Sequence, residues 1–307
     1  MFSSRNIKPD GIHASDQKDS LVNEVRKEVS ILKIFKKFSN SLQNSPLLIG
    51  LFLSSYLFFL LILPLGALFF VLVKNDWHEI VDRATDPIAL AAYTLTLKMA
   101  FFAACINTFF GFIITWVLTR YEFPGKKYLD AAVDLPFALP TSVAGLTLTT
   151  VYGEQGWIGQ FFSFLHIQIV FTQVGVLLAM IFVSFPFVIR TLQPVVQELE
   201  MSLEEAAWSL GASPWETFLR IILPTLWPAL LTGFTLSFSR ALGEFGSIVM
   251  ISSNLPLKDL VASVLIYQSL EQYDYLGASV IGIVVLLIAL LSLLIINAIQ
   301  SFKLRFS

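Results

Sequence analysis

The sequence predicts an all-α integral membrane protein that crosses the bilayer six times. Hydrophobic residues make up 56% of its 307 residues and charged residues only 14%, whereas soluble domains carry about 25% charged residues. Its mean hydropathy is +0.74. The apolar residues also collect into runs of about 20, which is the length that an α-helix needs to cross a bilayer. Composition and run length therefore both indicate transmembrane helices.

Six apolar runs are long enough to be spans, and they follow a polar N-terminal tail over residues 1–45. The third run is the weakest, because Pro136 and Pro140 lie near its start. The fifth is interrupted by two charged residues, Arg240 and Glu244. In chain order, the predicted spans are Pro46–Val73, Ala91–Leu118, Ala131–Val151, Val170–Ile189, Leu226–Ser252 and Tyr275–Gln300.

The lysines and arginines of the short loops predict that both termini lie on the cytoplasmic side, where such residues are enriched. Only Lys74, Arg83 and Lys258 fall on the opposite side. The alternation holds for six spans, because an odd number would place the basic C-terminal end outside. The basic residues assigned to the cytoplasmic side are Lys33, Lys36, Lys37, Arg120, Lys126, Lys127, Arg190, Arg220, Lys303 and Arg305.

The sequence gives no support to an enzyme, a metal site or a nucleic-acid partner. A net charge of −2 lacks the basic excess that favours nucleic acid. The three histidines are far apart and the single cysteine, Cys105, lies in an apolar run, so no metal-ligand spacing occurs. The Gly125-Lys126 pair lacks the upstream glycine of a P-loop. We therefore predict no catalytic residue, metal or cofactor in this chain.

The cytoplasmic loop over residues 190–224 is predicted to form two short helices joined by a tight turn. Ser202 is followed three residues later by Glu205, and Ser213 is followed three residues later by Glu216. This is the spacing of a capping box, in which a serine and a glutamate satisfy the first backbone N–H groups of a helix. Two helix starts are therefore expected between the fourth and fifth spans.

The turn and the far end of this loop carry further signals. Gly211 fits a helix end that needs a left-handed residue, and Pro214 fits the first position of the second helix. Pro224 is expected to break the chain before the next span. Ala206 and Ala207 leave little side-chain bulk on the first helix, so another surface can approach it closely.

These residues follow a pattern that resembles the signature loop of ABC importer permeases: E-A-A, three residues, glycine, nine residues, isoleucine, one residue and L-P. The matching positions are Glu205, Ala206, Ala207, Gly211, Ile221, Leu223 and Pro224. The resemblance implies the type I ABC importer permease fold over residues 90–302. It also implies that the loop docks into a groove on an ATP-hydrolysing subunit, so ATP would be bound by a separate chain.

Three further stretches resemble the T-type permease of sulfate/thiosulfate importers: Asp134–Gly145, Pro186–Leu199 and Ser237–Gly246. This resemblance implies a complex in membrane lipid with a second, W-type permease, an ATPase dimer and a soluble sulfate-binding protein. The chain would supply half of the pathway, in a bacterial inner membrane or a plastid membrane. Two alternatives stay open: a molybdate or tungstate permease with the same machinery, and a secondary transporter without an ATPase, for which no repeated pair of spans is visible.

Arg240 and Glu244 are the candidate pathway residues, because a charge inside a span is costly and by default suggests function. At 1.5 Å per residue, Arg240 lies roughly 20–25 Å from the cytoplasmic end of the fifth span. It could attract an oxyanion, be neutralised by Glu244 one turn further on, or form with Glu244 a gate that breaks on opening. Gly243 and Gly246 would permit a bend there.

Two polar residues of the second span have simpler interpretations. Lys98, near the outer end, is predicted to extend its ammonium group to the membrane surface. Asn107, deeper in the span, is predicted to bond to neighbouring helices rather than to a substrate.

Overall fold

A computed structural model describes the backbone of residues 46–304 and the side chains of residues 49–298, together with Lys33. The predicted N-terminal tail, apart from Lys33, and the extreme C-terminus lie outside the described residues. Over the described range the chain is helical, with no β-strand. The chain divides into two compact units, Met1–Ala67 and Leu68–Ser307. The predicted all-α class is confirmed.

The first apolar run forms α1 (Pro46–Leu57), a π-helical turn (Phe58–Ile62) and α2 (Leu63–Val73). The helices that follow are α3 (Trp77–Ala84), α4 (Pro87–Arg120), α5 (Lys126–Val133), α6 (Leu135–Ala138), α7 (Thr141–Tyr152), α8 (Gly159–Phe164), α9 (Gln173–Glu198), α10 (Met201–Ser209), α11 (Pro214–Thr217), α12 (Leu223–Leu242), α13 (Gly246–Ile251), α14 (Ala262–Glu271) and α15 (Tyr275–Leu304). A second π-helical turn, Phe218–Ile222, joins α11 to α12.

Five helical runs of the described residues are long and apolar enough to cross a membrane. Four of them overlap the predicted first, second, fourth and sixth spans, although the run Gln173–Glu198 continues past the predicted end of the fourth span at Ile189. The fifth run overlaps the predicted fifth span but has different ends. The five runs are Ile49–Val73, Pro87–Arg120, Gln173–Glu198, Pro214–Leu242 and Tyr275–Ala298.

The predicted third span, Ala131–Val151, is wrong as a continuous helix. It is divided among α5, α6 and the 12-residue α7. The main break lies at Leu139, which is extended with φ −85° and ψ 132°. This conformation follows from Pro140, because a proline disfavours helical geometry in the residue before it. The two prolines that weakened the prediction therefore divide the span.

The predicted fifth span is wrong at both ends. The helical run starts at Pro214, well before Leu226, and passes through Pro224 without the predicted break. A proline inside a helix displaces the carbonyl of the residue four positions earlier, here Arg220. That residue lies within the π-helical turn Phe218–Ile222, where the helix is already widened. The run then ends at Leu242.

Close backbone packing joins α4, α9 and α12. Ala100, Ala103 and Ala104 of α4 are fully buried, so the neighbouring helices approach without intervening bulk. A Cβ atom added to Gly111 would lie 2.9 Å from Cγ1 of Val188, and one added to Gly233 would lie 3.2 Å from Cα of Val188. The two glycines of α4 and α12 therefore make room for one valine of α9.

A buried polar network crosses the same three helices. Nδ2 of Asn107 lies 2.8 Å from Oγ of Ser184, 3.2 Å from Oγ of Ser237 and 3.2 Å from the carbonyl oxygen of Ile181. The Ser237 hydroxyl in turn donates to Oγ of Ser184 at 3.1 Å. The prediction that Asn107 bonds to neighbouring helices is confirmed, and the network fixes the rotation of the helices against one another.

Replacing Gly111 with leucine is expected to destabilise the protein, because the new side chain must displace Val188 and separate α4 from α9. Overpacking of this kind costs about 1–3 kcal/mol. The measurement is the apparent melting temperature in detergent, followed by size-exclusion fluorescence. Gly66→Leu is the matched control, since Gly66 also lies in a span but has open space at its Cβ position. Equal melting temperatures for the two variants would contradict the packing argument.

Candidate functional site

The hairpin of α10 and α11, in the loop predicted to be cytoplasmic, contains the turn that the sequence predicts. Gly211 adopts the left-handed conformation with φ +87°. Its N–H donates to the carbonyl of Trp208 at 2.9 Å, and the N–H of Ala212 donates to the carbonyl of Ala207 at 3.0 Å. These two bonds define a Schellman motif, which ends a helix by satisfying its last carbonyl groups. Residues with a Cβ atom rarely adopt this φ, so the turn favours glycine.

One of the two predicted capping boxes is confirmed. Oγ of Ser213 accepts from the N–H of Glu216 at 3.3 Å, and Oε2 of Glu216 accepts from the N–H of Ser213 at 3.0 Å. The box at Ser202 and Glu205 is wrong, because α10 begins one residue before Ser202 with Glu200 as its N-cap. The Ser202 hydroxyl instead donates to Oε2 of Glu200 at 2.9 Å.

The predicted docking residues lie in two places. Four belong to the hairpin, where Glu205, Ala206 and Gly211 are exposed and Ala207 is buried. The other three lie further along the chain, in the π-helical turn and the first turn of α12: Ile221, Leu223 and Pro224.

Large apolar side chains surround the exposed group. Leu210 is 89% exposed, Trp215 67% and Trp208 49%. Exposed apolar side chains of this size, clustered on a polar loop, are typical of a protein–protein interface. We call the surface formed by Glu205, Ala206, Trp208, Leu210 and Trp215 the hairpin surface.

An ion pair attaches the hairpin to the cytoplasmic end of α4. Nη2 of Arg120 lies 3.0 Å from Oε1 of Glu204, and both side chains are largely buried. This contact is an ion pair without hydrogen-bond geometry, because Oε1 of Glu204 has no hydrogen-bond partner. Arg120 also donates to the carbonyl of Leu199 at 3.3 Å and lies 5.1 Å from the ring centroid of Trp116. Sequence reasoning used Arg120 only to orient the chain and did not detect this link.

The Arg240–Glu244 pair forms as the sequence spacing predicts. Nη1 of Arg240 lies 2.7 Å from Oε2 of Glu244. The other carboxylate oxygen, Oε1, accepts from the N–H and the hydroxyl of Ser247, both at 2.8 Å. The Glu244 side chain is 2% exposed and that of Arg240 is 29% exposed. The carboxylate therefore holds the first turn of α13 as well as the guanidinium group.

Gly243 and Gly246, the two glycines predicted to permit a bend, lie on either side of a helix break but have different surroundings. The helical run ends at Leu242 and α13 begins at Gly246. A Cβ atom at Gly246 would clash with Oγ1 of Thr141, at the start of α7. Gly243 has φ −92° and nothing nearer than 3.9 Å to such an atom. Gly246 is therefore required by the close approach of α7, and Gly243 has no such steric requirement.

A second ion-pair cluster, at the cytoplasmic end of α9, was not predicted as a site. Nε and Nη2 of Arg190 contact the two carboxylate oxygens of Asp134, each at 2.8 Å. Nη1 lies 2.7 Å from Oδ1 of Asp130 and also contacts Oε1 of Gln193. The Arg190 guanidinium holds the pKa of the Asp130 carboxyl below its usual range. The cluster ties the divided third segment to α9.

An all-helical membrane chain whose cytoplasmic hairpin is tied to its membrane helices has the architecture of a transporter's permease subunit. The chain belongs to the family of binding-protein-dependent transport system inner membrane components, whose family model matches residues 107–306. Recognition of the chain as an ABC importer permease is thereby confirmed. It is a multi-pass integral membrane protein and a transporter permease subunit.

Curated relatives are similar over most of the chain. A protein of Chlorella vulgaris is 78% identical over 235 residues, which are 76% of this chain and 88% of the relative. A protein of Prototheca wickerhamii is 69% identical over 253 residues, which are 82% of this chain and 99% of the relative. Each is described as a probable sulfate transport system permease protein cysT.

Solved structures share the fold at low sequence identity. A bacterial ABC transporter involved in the import of alginate matches with a TM-score of 0.69 at 17% identity, over 86% of this chain and 98% of the other. A methionine ABC transporter matches with a TM-score of 0.51 at 18% identity, over 71% of this chain and 95% of the other. These matches confirm the type I ABC importer permease fold that the signature loop implied.

Replacing Glu204 with glutamine is expected to loosen the hairpin, because Arg120 would keep a buried charge without its partner. We expect amide hydrogen exchange over residues 199–211 to become about tenfold faster in the assembled protein. Glu205→Gln is the matched control, since Glu205 is adjacent but exposed. If both variants exchange at the wild-type rate, the ion pair does not hold the hairpin.

The lowered pKa of Asp130 predicts how stability depends on pH. A carboxyl group with a lower pKa in the folded state stabilises the protein above its unfolded pKa, about 3.9. That contribution is lost only as the pH falls through the folded value. The melting-temperature difference between wild type and Asp130→Asn should therefore be constant from about pH 8 to pH 5 and shrink below about pH 4. A difference that shrinks between pH 7 and pH 5 would contradict this assignment.

Proposed function

We propose that this chain is the permease subunit of an ATP-driven sulfate importer and forms half of its pathway. The observation that carries the proposal is the hairpin surface, which is apolar, exposed and tied to α4 by the Arg120–Glu204 ion pair. Sulfate as the substrate is supported by the names of the relatives, which are up to 78% identical to this chain. ATP hydrolysis takes place on a separate ATPase dimer, which binds the hairpin surface.

The continuity of the fifth helical run explains how movement of the ATPase reaches the pathway. The run starts at Pro214, in the second hairpin helix, and ends at Leu242, next to the Arg240–Glu244 pair. Its 29 residues span about 43 Å at 1.5 Å per residue. A displacement of the hairpin therefore moves the far end of the same helix directly. The Arg120–Glu204 pair passes the movement to α4 as well.

Of the three interpretations of Arg240 and Glu244, the contacts favour a gate. Glu244 is held by Ser247 and by burial, so it stays in place when the pair separates. Arg240 is the more exposed partner and is the one free to move. In this proposal Arg240 exchanges the carboxylate for the oxyanion, which a guanidinium group can bind through paired N–H donors.

The complex that we propose contains a W-type permease as the second half of the pathway. A soluble sulfate-binding protein delivers the anion from outside, in keeping with the binding-protein-dependent family to which the chain belongs. Membrane lipid surrounds the spans. The membrane is a bacterial inner membrane or a plastid membrane.

The test is uptake of labelled sulfate by cells that lack this gene and carry either the wild type or Leu210→Asp. A buried carboxylate at the centre of an interface is costly, so we expect the variant to lose at least about tenfold in uptake. Leu210 is 89% exposed in this chain, so folding of the subunit should be unaffected. Tyr273→Asp is the matched control, because Tyr273 is 79% exposed on the side assigned to the outside.

Each outcome of this test is informative. Normal uptake by Leu210→Asp, at a normal level in the membrane, would refute docking of the ATPase through the hairpin surface. If the wild type restores uptake of labelled molybdate and not of sulfate, the machinery is right and the substrate is molybdate or tungstate.

A further inference from the structure

We infer that the outer ends of α4 and α9 carry a binding site for a doubly charged tetrahedral oxyanion, formed around Lys98 and Lys258. The inference rests on the proposed function, because it names where the transported anion first contacts this subunit. It differs from the Arg240–Glu244 pair in its residues and in its part of the fold.

A cavity of about 370 Å³ lies between these elements. Its volume holds a small anion together with several waters, at about 30 Å³ per water. Lys98 and Thr94 come from α4, Gln173 is the first residue of α9, and Lys258 comes from the loop between α13 and α14. The other lining residues are apolar: Leu90, Ala91, Leu95, Leu257 and Leu260.

The position of Lys98 along α4 agrees with a role in this cavity. Lys98 is the twelfth residue of the 34-residue α4, so it lies about 17 Å from the start of a helix that is about 51 Å long. Because the helix is longer than the ~30 Å hydrocarbon core, Lys98 lies near the outer boundary of that core. Its side chain is exposed and lines the cavity. That the ammonium group extends to the membrane surface stays a prediction.

The positive charge of the cavity is not neutralised by the protein. No lining residue is acidic, and neither lysine forms an ion pair within the described residues. Asp259 is adjacent to Lys258 in sequence, but its carboxylate is buried and accepts from the N–H and hydroxyl of Ser253 and from the N–H of Leu255. Two exposed lysines therefore line one cavity without a carboxylate among its lining residues, and a concave surface of one charge sign attracts and concentrates anions.

The surrounding structure fixes the backbone of the loop that carries Lys258. Nε2 of Gln173 donates to the carbonyl of Lys258 at 2.7 Å, which fixes the loop against the start of α9. The buried Asp259 carboxylate organises the same loop from its inner side. α9 is a 26-residue helix without a side-chain N-cap, and its N-terminal end, which carries partial positive charge, adds to the field of the lysines.

The same chemistry would suit a lipid phosphate group, so the experiment must separate the two sources of anion. The test uses the complete transporter in phosphatidylcholine vesicles, with ATP in the lumen, binding protein outside and uptake of labelled sulfate as the readout. Cys105 is exposed, so Cys105→Ser is the background. Lys98→Cys and Lys258→Cys are each expected to lower the uptake rate by about tenfold.

Charge-restoring chemistry then distinguishes a role for the ammonium group from a structural role. Aminoethyl methanethiosulfonate, which returns a positive charge to the cysteine, should restore uptake to within about threefold of the background rate. The sulfonatoethyl reagent, which adds a negative charge, should leave it low. Lys74→Cys is the matched control on the same side of the membrane and outside the cavity; we expect it to respond to neither reagent.

Five results would decide between these readings. Uptake at the control rate by both cysteine variants, or equal effects of the two reagents, overturns the site. A defect that appears only in vesicles containing phosphatidylglycerol assigns the lysines to lipid headgroups instead. If the background carries molybdate rather than sulfate and the variants lower molybdate uptake, the site stands and the substrate of the proposed function is wrong. No uptake of either anion by the background overturns both proposals.

Discussion

The close packing of α4, α9 and α12 around Val188 is the constraint on which the other features of this subunit depend. Gly111 and Gly233 allow the three backbones to meet at this valine, and Asn107 with its two serine partners fixes their rotation. The Arg120–Glu204 pair lies at the cytoplasmic end of α4, and the hairpin continues into α12. A hairpin attached to two helices of one rigid group can move that group as a unit.

The polar side chains within the membrane helices follow one energetic rule. An unpaired polar group in hydrocarbon is costly, so Asn107 bonds to serines on two other helices and Arg240 pairs with Glu244. Lys98 lines a cavity and pairs with no carboxylate of the described residues. The rule therefore separates polar residues that hold the fold together from a charge that needs a ligand or solvent.

Helix breaks place the functional groups as much as the long helices do. The divided third segment ends in α7, whose Gly145 approaches the backbone of Ser247 so closely that an added Cβ would lie 2.7 Å from its Cα. Gly246 in turn lies so close to Thr141, at the start of α7, that a Cβ atom there would clash with its Oγ1. Two short helices thus meet beside Glu244, whose carboxylate accepts from the N–H of Ser247 in one of them. Gly145 and Gly246 permit this close contact.

The sequence by itself determined the membrane class, four of the spans, the left-handed turn at Gly211, the second capping box and the Arg240–Glu244 pair. All of these depend on residues within a few positions of one another, or on total apolar length, so local rules suffice. Only the tertiary structure decided that the helix continues through Pro224, that α10 begins before Ser202, and that Arg190 pairs with Asp134, 56 residues away. It also decided that Lys98 and Lys258 share a cavity. These features depend on the rotation and separation of packed helices, which no short stretch of sequence encodes.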